Sequence, residues 1–254
     1  MEDSKVINKL YSLNQMFKKV YNSKKSFQNI WMSKNGRLFM YEEDQFPSFV
    51  EIYYETDEMV SKKGDKTSRG KEFDEFINLI TTNNFKLNSV KLFNYFKENS
   101  KSDATIEIKD NQIIINNEVI SEIYDPNEKT KEKLFDDREV VGEFKMTNEC
   151  INKCIEMKTT PFRICLNFDT GNVDFNIKEK PESYLEFNIN TKFMPFIEEC
   201  NNSKESDVTI EVLSTECDYI YDVVFKVVNY TINKKGERVK NPIITKYGIR
   251  VLEL

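Results

Sequence analysis

Apolar side chains near the start of the chain recur at the spacing of a helix. They lie three or four residues apart, at Val6, Leu10, Leu13, Phe17 and Val20. This period predicts an amphipathic helix over residues 4–20, with its lysines largely off the apolar stripe. The same period predicts three further helices, over residues 88–98, 147–158 and 191–200. Thr147 or Asn148 is the candidate N-cap of the third.

The segments between these helices are typical of strands. Residues 27–32 and 37–42 flank Asn35-Gly36, which predicts a β-hairpin. Two more hairpins are predicted, at 105–108 with 112–115 and at 162–168 with 173–177. The other predicted strands are 48–55, 85–87, 119–124, 143–146, 184–189, 207–213, 219–232 and 243–252. Polar residues predict an exposed loop at 57–70 and a tongue at 233–242, whereas 72–81 fits a short helix or a strand.

The order of elements repeats. Each half contains a helix, strands, a second helix and more strands, and the second helix follows a strand directly, in the sequences FKLNS and FNINT. Residues 125–138 are charged and begin near Pro126, as a linker does. The 254-residue chain suits two domains. We therefore predict an α+β protein with one domain at 1–124, a connector at 125–138 and a second domain at 139–254.

The amino-acid composition limits which reactions the protein could catalyse. The chain has no histidine, which excludes histidine-dependent nucleophilic catalysis and histidine-ligated metals. No phosphate-binding glycine loop or nucleophile elbow occurs, and the paired acids are expected to be solvated. A carboxylate-dependent metal enzyme would need three or more acids converging in one pocket, and no spacing suggests that. We predict a binding protein that is not an enzyme and needs no cofactor.

The five cysteines all lie in the second half. Cys150 and Cys154 are one helical turn apart, which fits half of a metal site or two small residues packed on one face. Because the chain has no CxxC motif and no histidine, the packing interpretation is favoured. No apolar run is long enough to cross a membrane and no signal peptide is recognisable, so we expect a cytoplasmic location.

The repeated plan resembles the DNA polymerase sliding clamps, both the PCNA type and the phage processivity factors. The resemblance is best over residues 85–126 and 143–213, and weakest in the first domain, where 57–83 looks inserted, as does 233–242. It implies two domains per chain and three chains in a ring, with helices lining a hole and sheets outside. It also implies subunit contact between edge strands, for which residues 105–115 and 162–168 are the candidates.

The resemblance implies a set of DNA-facing lysines on the helices. A clamp holds DNA by attracting its phosphates, without reading its sequence. Because this chain has a net charge of −6, such binding requires that its lysines are segregated on one surface. The DNA-facing candidates are Lys5, Lys9, Lys18, Lys19, Lys91, Lys97, Lys153, Lys158 and Lys192. The competing explanation is that lysine is common in this chain and that any amphipathic helix exposes its lysines to solvent. Glu198 and Glu199 on the fourth helix weaken the pattern.

The resemblance also implies a pocket for partner peptides beneath the connector. Its candidate residues are Phe39, Met40, Tyr41, Leu134, Phe135, Ile249, Val251 and Leu252. Ordinary core packing explains any one of them equally well. Leu134-Phe135 is the exception, because two apolar residues in a charged linker need a surface to cover.

Two functions are compatible with the sequence. The first is a sliding clamp that encircles duplex DNA and tethers the replicative polymerase, with a clamp loader as a further partner. The alternative is a non-enzymatic structural or interaction protein of a virus that does not encircle DNA. The distribution of lysines over the folded surface discriminates the two.

Overall fold

The computed structural model describes about half of the chain. The described residues are 4–8, 29–32, 38–42, 48–55, 58–60, 66–68, 85–88, 91, 103–109, 112–123, 138–157, 162–189 and 205–252. Within these residues the protein is mostly β-sheet, with one complete helix.

The elements are numbered in chain order. The strands of the first half are β1 (Ser4–Asn8), β2 (Asn29–Met32), β3 (Leu38–Glu42), β4 (Ser48–Tyr54), β5 (Glu58–Val60), β6 (Lys66–Ser68), β7 (Phe85–Asn88), β8 (Asp103–Lys109), β9 (Gln112–Ile115) and β10 (Glu118–Ile123). Those of the second half are β11 (Val140–Met146), β12 (Phe162–Asn167), β13 (Val173–Phe175), β14 (Tyr184–Ile189), β15 (Glu205–Ser214), β16 (Ile220–Ile232) and β17 (Arg238–Leu252). The helix α1 (Asn148–Glu156) lies between β11 and β12.

One sheet runs through both halves. It has twelve strands in the order β1-β8-β9-β10-β7-β2-β3-β4-β17-β16-β15-β11, and the pairs between neighbours are antiparallel. A second sheet has the order β13-β12-β14, and β5 pairs with β6. The two halves join where β4 pairs with β17, from Ile243 opposite Tyr54 to Ile249 opposite Ser48.

The order of strand pairing is duplicated between the halves. In the first half, β1 pairs with β8, followed by the meander β8-β9-β10, and in the second half β11 pairs with β15, followed by β15-β16-β17. The remaining strands repeat in part: β2 pairs with β3 and β7, and β12 pairs with β13 and β14. The repetition is incomplete, because β10 pairs with β7 of its own half, whereas β17 pairs with β4 of the other half.

The core of the second half lies between the two sheets. Alternate residues of β15 are buried, whereas β16 and β17 contain continuous buried runs at 222–225 and 242–245. The ring of Phe225 meets that of Phe187 from β14 edge-on, with centroids 6.4 Å apart. On β11, Phe144 packs edge-on against Phe168 at 5.2 Å. The alternation of the sequence in β15, with every second residue buried, follows from one face of the sheet meeting this core.

The helix α1 begins where the sequence predicts. Thr147 is the N-cap, with extended backbone, and its Oγ1 accepts a hydrogen bond of 3.2 Å from the backbone N–H of Cys150. Ile151 and Cys154 are buried, one turn apart on the packed face. The helix ends at Glu156, two residues earlier than predicted, and the N–H of Met157 bonds to the carbonyl of Lys153 at 3.0 Å.

Some expectations about local structure were wrong. Residues 4–8, expected in a helix, form β1, because pairing with β8 on the sheet prevails over a helical apolar period. The expected loop at 57–70 contains the β5–β6 hairpin. The tongue is shorter than expected, because residues 238–242 belong to β17. The predicted helices at 88–98 and 191–200, and the connector apart from Arg138, lie mostly or wholly outside the described residues, so two helices per half remain a prediction.

Neither predicted edge strand is at an edge. Residues 105–115 fall in β8 and β9, each paired on both sides, and 162–168 falls largely in β12, the central strand of its sheet. Among the described strands, those at the margins of the twelve- and three-stranded sheets are β1, β11, β13 and β14. Within the described residues, no helix is long and apolar enough to cross a membrane.

Candidate nucleic-acid and partner interfaces

The exposed face of α1 carries the one predicted DNA-facing lysine whose helix is fully described. Lys153 is half exposed, and its Nζ lies 3.0 Å from Glu149 Oε1, one turn earlier. This hydrogen bond and the charge of Glu149 raise the pKa of Lys153, so the ammonium is charged but already has a carboxylate partner. Glu156 is exposed on the same helix. The exposed part of α1 is therefore not basic by itself.

The structure describes two of the other predicted DNA-facing lysines, Lys91 and Lys5. Lys91 is exposed and has helical backbone, as expected for the predicted helix at 88–98. Lys5 lies on β1, in a strand. Outside the described residues lie Lys9, Lys18, Lys19, Lys97, Lys158 and Lys192. Their common orientation therefore stays a prediction.

The predicted peptide-pocket residues fall on neighbouring strands. Met40 on β3 is opposite Val50 on β4, which is opposite Tyr247 on β17, and Tyr41 continues one row further, opposite Phe49. The early strand and the C-terminal strand, separated by two hundred residues of sequence, thus lie one strand apart. Only the pairing of both with β4 decides this neighbourhood.

The C-terminal members of the predicted pocket differ in exposure. Ile249 and Val251 are buried on the core side of β17, whereas Leu252 is 46% exposed. Val140 (51%), Val141 (42%) and Tyr219 (70%) are exposed too. Because the register pairs Val140 with Leu213 and Ile220 with Leu252, these four apolar side chains share one end of the sheet. Leu134 and Phe135 of the connector lie outside the described residues and stay predictions.

A buried carboxylate that sequence analysis missed lies beside this end. Asp222 on β16 has a fully buried side chain and accepts hydrogen bonds from Arg250 Nε (2.9 Å) and Nη2 (3.3 Å). Arg138, where the predicted connector ends, forms a second ion pair with Asp222. A lone acid inside the apolar run IYDVVF was the available signal, because such a residue is rarely buried without partners. The pair fixes the chain at Arg138 to the twelve-stranded sheet.

A second buried acid lies on the three-stranded sheet. Glu186 on β14 is buried, and its Oε2 lies 3.4 Å from Arg163 Nη1 and 3.3 Å from Lys180 Nζ. Its neighbour across the strands, Cys165, is buried as well. The alternation at 184–189 predicted the strand but did not indicate that Glu186 is buried. Both cations are largely exposed, so the cluster is an ion-pair network at the surface of the sheet.

The cysteines of the second half include two that are packed deeply. Burial raises the pKa of Cys154 to about 12 and that of Cys165 to about 11. Cys150 is half-buried and its thiol points at the carbonyl of Val173, at 3.5 Å. Among the described residues, no group of three or more acids and cysteines is placed to hold a metal ion.

These thiols give a prediction. At neutral pH the exposed Cys217 should alkylate with iodoacetamide in the native protein, whereas Cys154 and Cys165 should react only after unfolding, because their thiolates are scarce and inaccessible. Peptide mass spectrometry before and after denaturation in urea measures this. Native labelling of Cys154 at a rate similar to Cys217 would show that α1 does not pack as described.

Comparison with known proteins finds structural likeness alone. No family model matches the chain, and no curated protein sequence matches it. Among solved structures, it is similar to the Helicobacter pylori β clamp in complex with 5-chloroisatin, with 14% identity, a TM-score of 0.48, and 98% of this chain and 67% of that chain covered. The same clamp bound to a DNA ligase peptide gives 13% identity, a TM-score of 0.48, and coverage of 98% and 66%. This chain thus spans about two thirds of the length of these clamps.

Those similar structures are sliding clamps of the bacterial β type. The sequence resemblance pointed instead to the PCNA type and the phage processivity factors. At this identity and TM-score the likeness does not carry a function to the present chain, which has to be argued from its own strand order and surfaces.

Proposed function

We propose that this protein is a sliding clamp: a ring of several copies, with three as the proposed number, that encircles duplex DNA and tethers a replicative polymerase. It would carry out no chemistry and need no cofactor. Its contribution would be topological, because a ring threaded on DNA keeps its bound partner at a high effective concentration near the template.

The duplicated strand-pairing order is the observation that carries this proposal. A chain made of two equivalent units can present equivalent surfaces at regular angles, which is what a closed ring requires. The continuous pairing across β4 and β17 supports it further, because a rigid junction between halves fixes that angle. Among the described strands, β11 pairs on one side only, and a neighbouring copy can satisfy the backbone groups of its other edge.

The proposed DNA contacts are the lysines of the helices, with Lys91 and Lys153 as the members in described helical positions. Such contacts would be non-specific and salt-dependent, since they involve phosphates alone. Lys153 would contribute less than a free lysine, because Glu149 already neutralises part of its charge.

The proposed partner surface is the apolar end of the twelve-stranded sheet, with Val140, Val141 and Leu252 as its exposed members. Arg138, at the end of the predicted connector, is held on the same sheet by Asp222. A short peptide with apolar anchors, presented by a polymerase or a clamp loader, is the proposed occupant.

One observation favours the alternative, a structural or interaction protein that does not encircle DNA. Glu149 and Glu156 outnumber Lys153 on the exposed part of α1, so a basic lining of the hole would depend on the remaining helices. The proposal therefore needs a test of encirclement as well as of affinity.

A topological experiment separates the two. The protein is diluted to dissociate its oligomer and then concentrated in the presence of nicked circular DNA, so that rings close around the circle. We expect it to co-elute with the circle at high salt in gel filtration, and to be released when a restriction enzyme linearises the DNA. Equal retention on circular and linear DNA, or on neither, would contradict the clamp.

Light scattering over a range of concentrations gives the matching control on assembly. We expect the mass to rise from that of one 30.1 kDa chain to three times that value. A strictly monomeric chain at high concentration would rule out the ring, whatever its affinity for DNA.

A further inference from the structure

The hairpin that joins β16 and β17 continues past the described ends of the two strands that pair with it, and β5 lies close to β17. β15 pairs with β16 as far as Tyr230, and β4 pairs with β17 only from Ile243 onward, with one added bond from the N–H of Glu55 to the carbonyl of Pro242. Residues 231–241 are called the ribbon below; in it Thr231 pairs with Val239 and Ile232 with Arg238, and Lys240 pairs with Tyr230 at its base. The ribbon overlaps residues 233–242, which look inserted relative to the sliding clamps.

The base of the ribbon is fixed by a compact group of side chains. The guanidinium carbon of Arg238 lies 3.6 Å from the centre of the Tyr230 ring, and its nitrogens contact Asp207 at 2.8 Å and Glu205 at 2.9 Å. Tyr230 donates a 2.8 Å hydrogen bond to Asp207, and Lys240 forms an ion pair with Glu55. Burial alone would raise the pKa of Asp207, but the bonds from Arg238 and Tyr230 lower it, so the group is ionised at neutral pH.

The turn at the tip is equally well defined. The Asn233 side-chain oxygen accepts 2.9 Å hydrogen bonds from the N–H groups of Lys235 and Glu237. Gly236 has a φ of +79°, which a residue with a side chain rarely adopts. The Asn233 amide donates to the Glu237 carboxylate at 2.7 Å, so the one acid of the ribbon is held by its own turn.

Two lysines project from this turn. Lys234 and Lys235 are exposed, and among the described residues neither side chain has an ion pair or hydrogen bond. The ribbon contains four cations and one carboxylate, a net charge of +3, in a chain whose net charge is −6. The cations at its base are already paired, so the unpaired positive charge is concentrated at the tip.

We propose that the ribbon is a DNA-backbone contact, in which Lys234 and Lys235 bind phosphates of the duplex. The preformed turn lowers the entropy lost on binding, and a two-stranded ribbon has dimensions that a major groove accepts. This proposal rests on the proposed function and extends it to a contact outside the helices. An acidic protein surface is the competing occupant.

The test compares the salt dependence of binding to duplex DNA for three proteins. These are the wild type, Lys234→Ala/Lys235→Ala, and a control, Lys109→Ala/Lys178→Ala, which removes the same charge from exposed positions away from the ribbon. We expect the slope of log K against log salt to fall by about 2 in the ribbon variant, since each phosphate contact contributes about 0.9. The control slope should stay near that of the wild type, and Lys234→Arg/Lys235→Arg should restore it.

Each outcome of this experiment leads to a different conclusion about the ribbon and the clamp. Equal slopes in the ribbon and control variants, with topological retention on circles intact, would overturn the ribbon contact and leave the clamp standing. An unchanged slope together with lost binding to a polyglutamate-coated surface would assign the ribbon to an acidic protein and also overturn the proposal. Absence of any DNA binding by the wild type would overturn both. Urea midpoints equal to the wild-type value exclude unfolding as the cause of a reduced slope.

Discussion

Replacing Asp222 by alanine is expected to destabilise the protein by about 3 kcal/mol, the lower end of the range for breaking a buried ion pair. The carboxylate is fully buried and holds both Arg138 and Arg250. Without it, two guanidinium groups lose their common partner. Both are partly exposed and can turn toward water, which is why the loss is placed at the lower end. Urea unfolding followed by circular dichroism measures the change.

Two control variants test whether the buried carboxylate is the cause of the destabilisation. Asp218→Ala removes an acid from an exposed turn four residues away and should cost less than about 0.5 kcal/mol. Asp222→Asn keeps the size and one acceptor oxygen, so it should fall between the wild type and Asp222→Ala. A loss below about 1 kcal/mol for Asp222→Ala would show that the arginines have no need of the carboxylate.

Gly248→Ala is the second change with a large expected effect, about 1–3 kcal/mol of destabilisation from overpacking. Phe49 on β4 is buried and lies against Gly248 on β17, where a methyl group would overlap the phenyl ring. The position matters because this strand pair joins the halves of the protein. Trp31, the single tryptophan, lies on β2 in the first half, so its fluorescence reports whether that half unfolds with the rest.

A double-mutant cycle tests the cause. Phe49→Ala alone should cost about 3–5 kcal/mol, as a truncated core aromatic does. In that background the added methyl group has room, so Gly248→Ala should cost close to nothing and the two changes should be strongly coupled. Additive losses would mean that the glycine is required for a reason other than the ring of Phe49.

The local elements of the second half could be predicted from the sequence because local rules govern them. Thr147 as the N-cap, the buried pair Ile151 and Cys154, and the alternation through β15 each reflect a short-range pattern. In the first half, residues 4–8 obey a helical period and yet form a strand. Long-range pairing with β8 decides their state, and no local pattern records that partner.

The surroundings of the predicted site residues depend on long-range contacts. Phe39, Met40 and Tyr41 lie on β3, which is separated from β17 by β4, and the exposure of Leu252 and the burial of Ile249 depend on which face of β17 meets the core. The arginines around Asp222 come from positions 138 and 250, which are 84 and 28 residues away along the chain. No spacing rule connects them.

The sequence by itself determined the approximate bounds of most strands and the cap of α1. These follow from side-chain periodicity and composition, which act over a few residues. The tertiary structure alone decided that β4 pairs with β17 to unite the halves, that Asp222 is buried between two arginines, and that the predicted edge strands lie inside their sheets. It also decided where the pairing of β15 with β16 and of β4 with β17 ends in the described residues, at Tyr230 and Ile243. Each of these depends on contacts between residues distant in sequence, where the fold selects the partners.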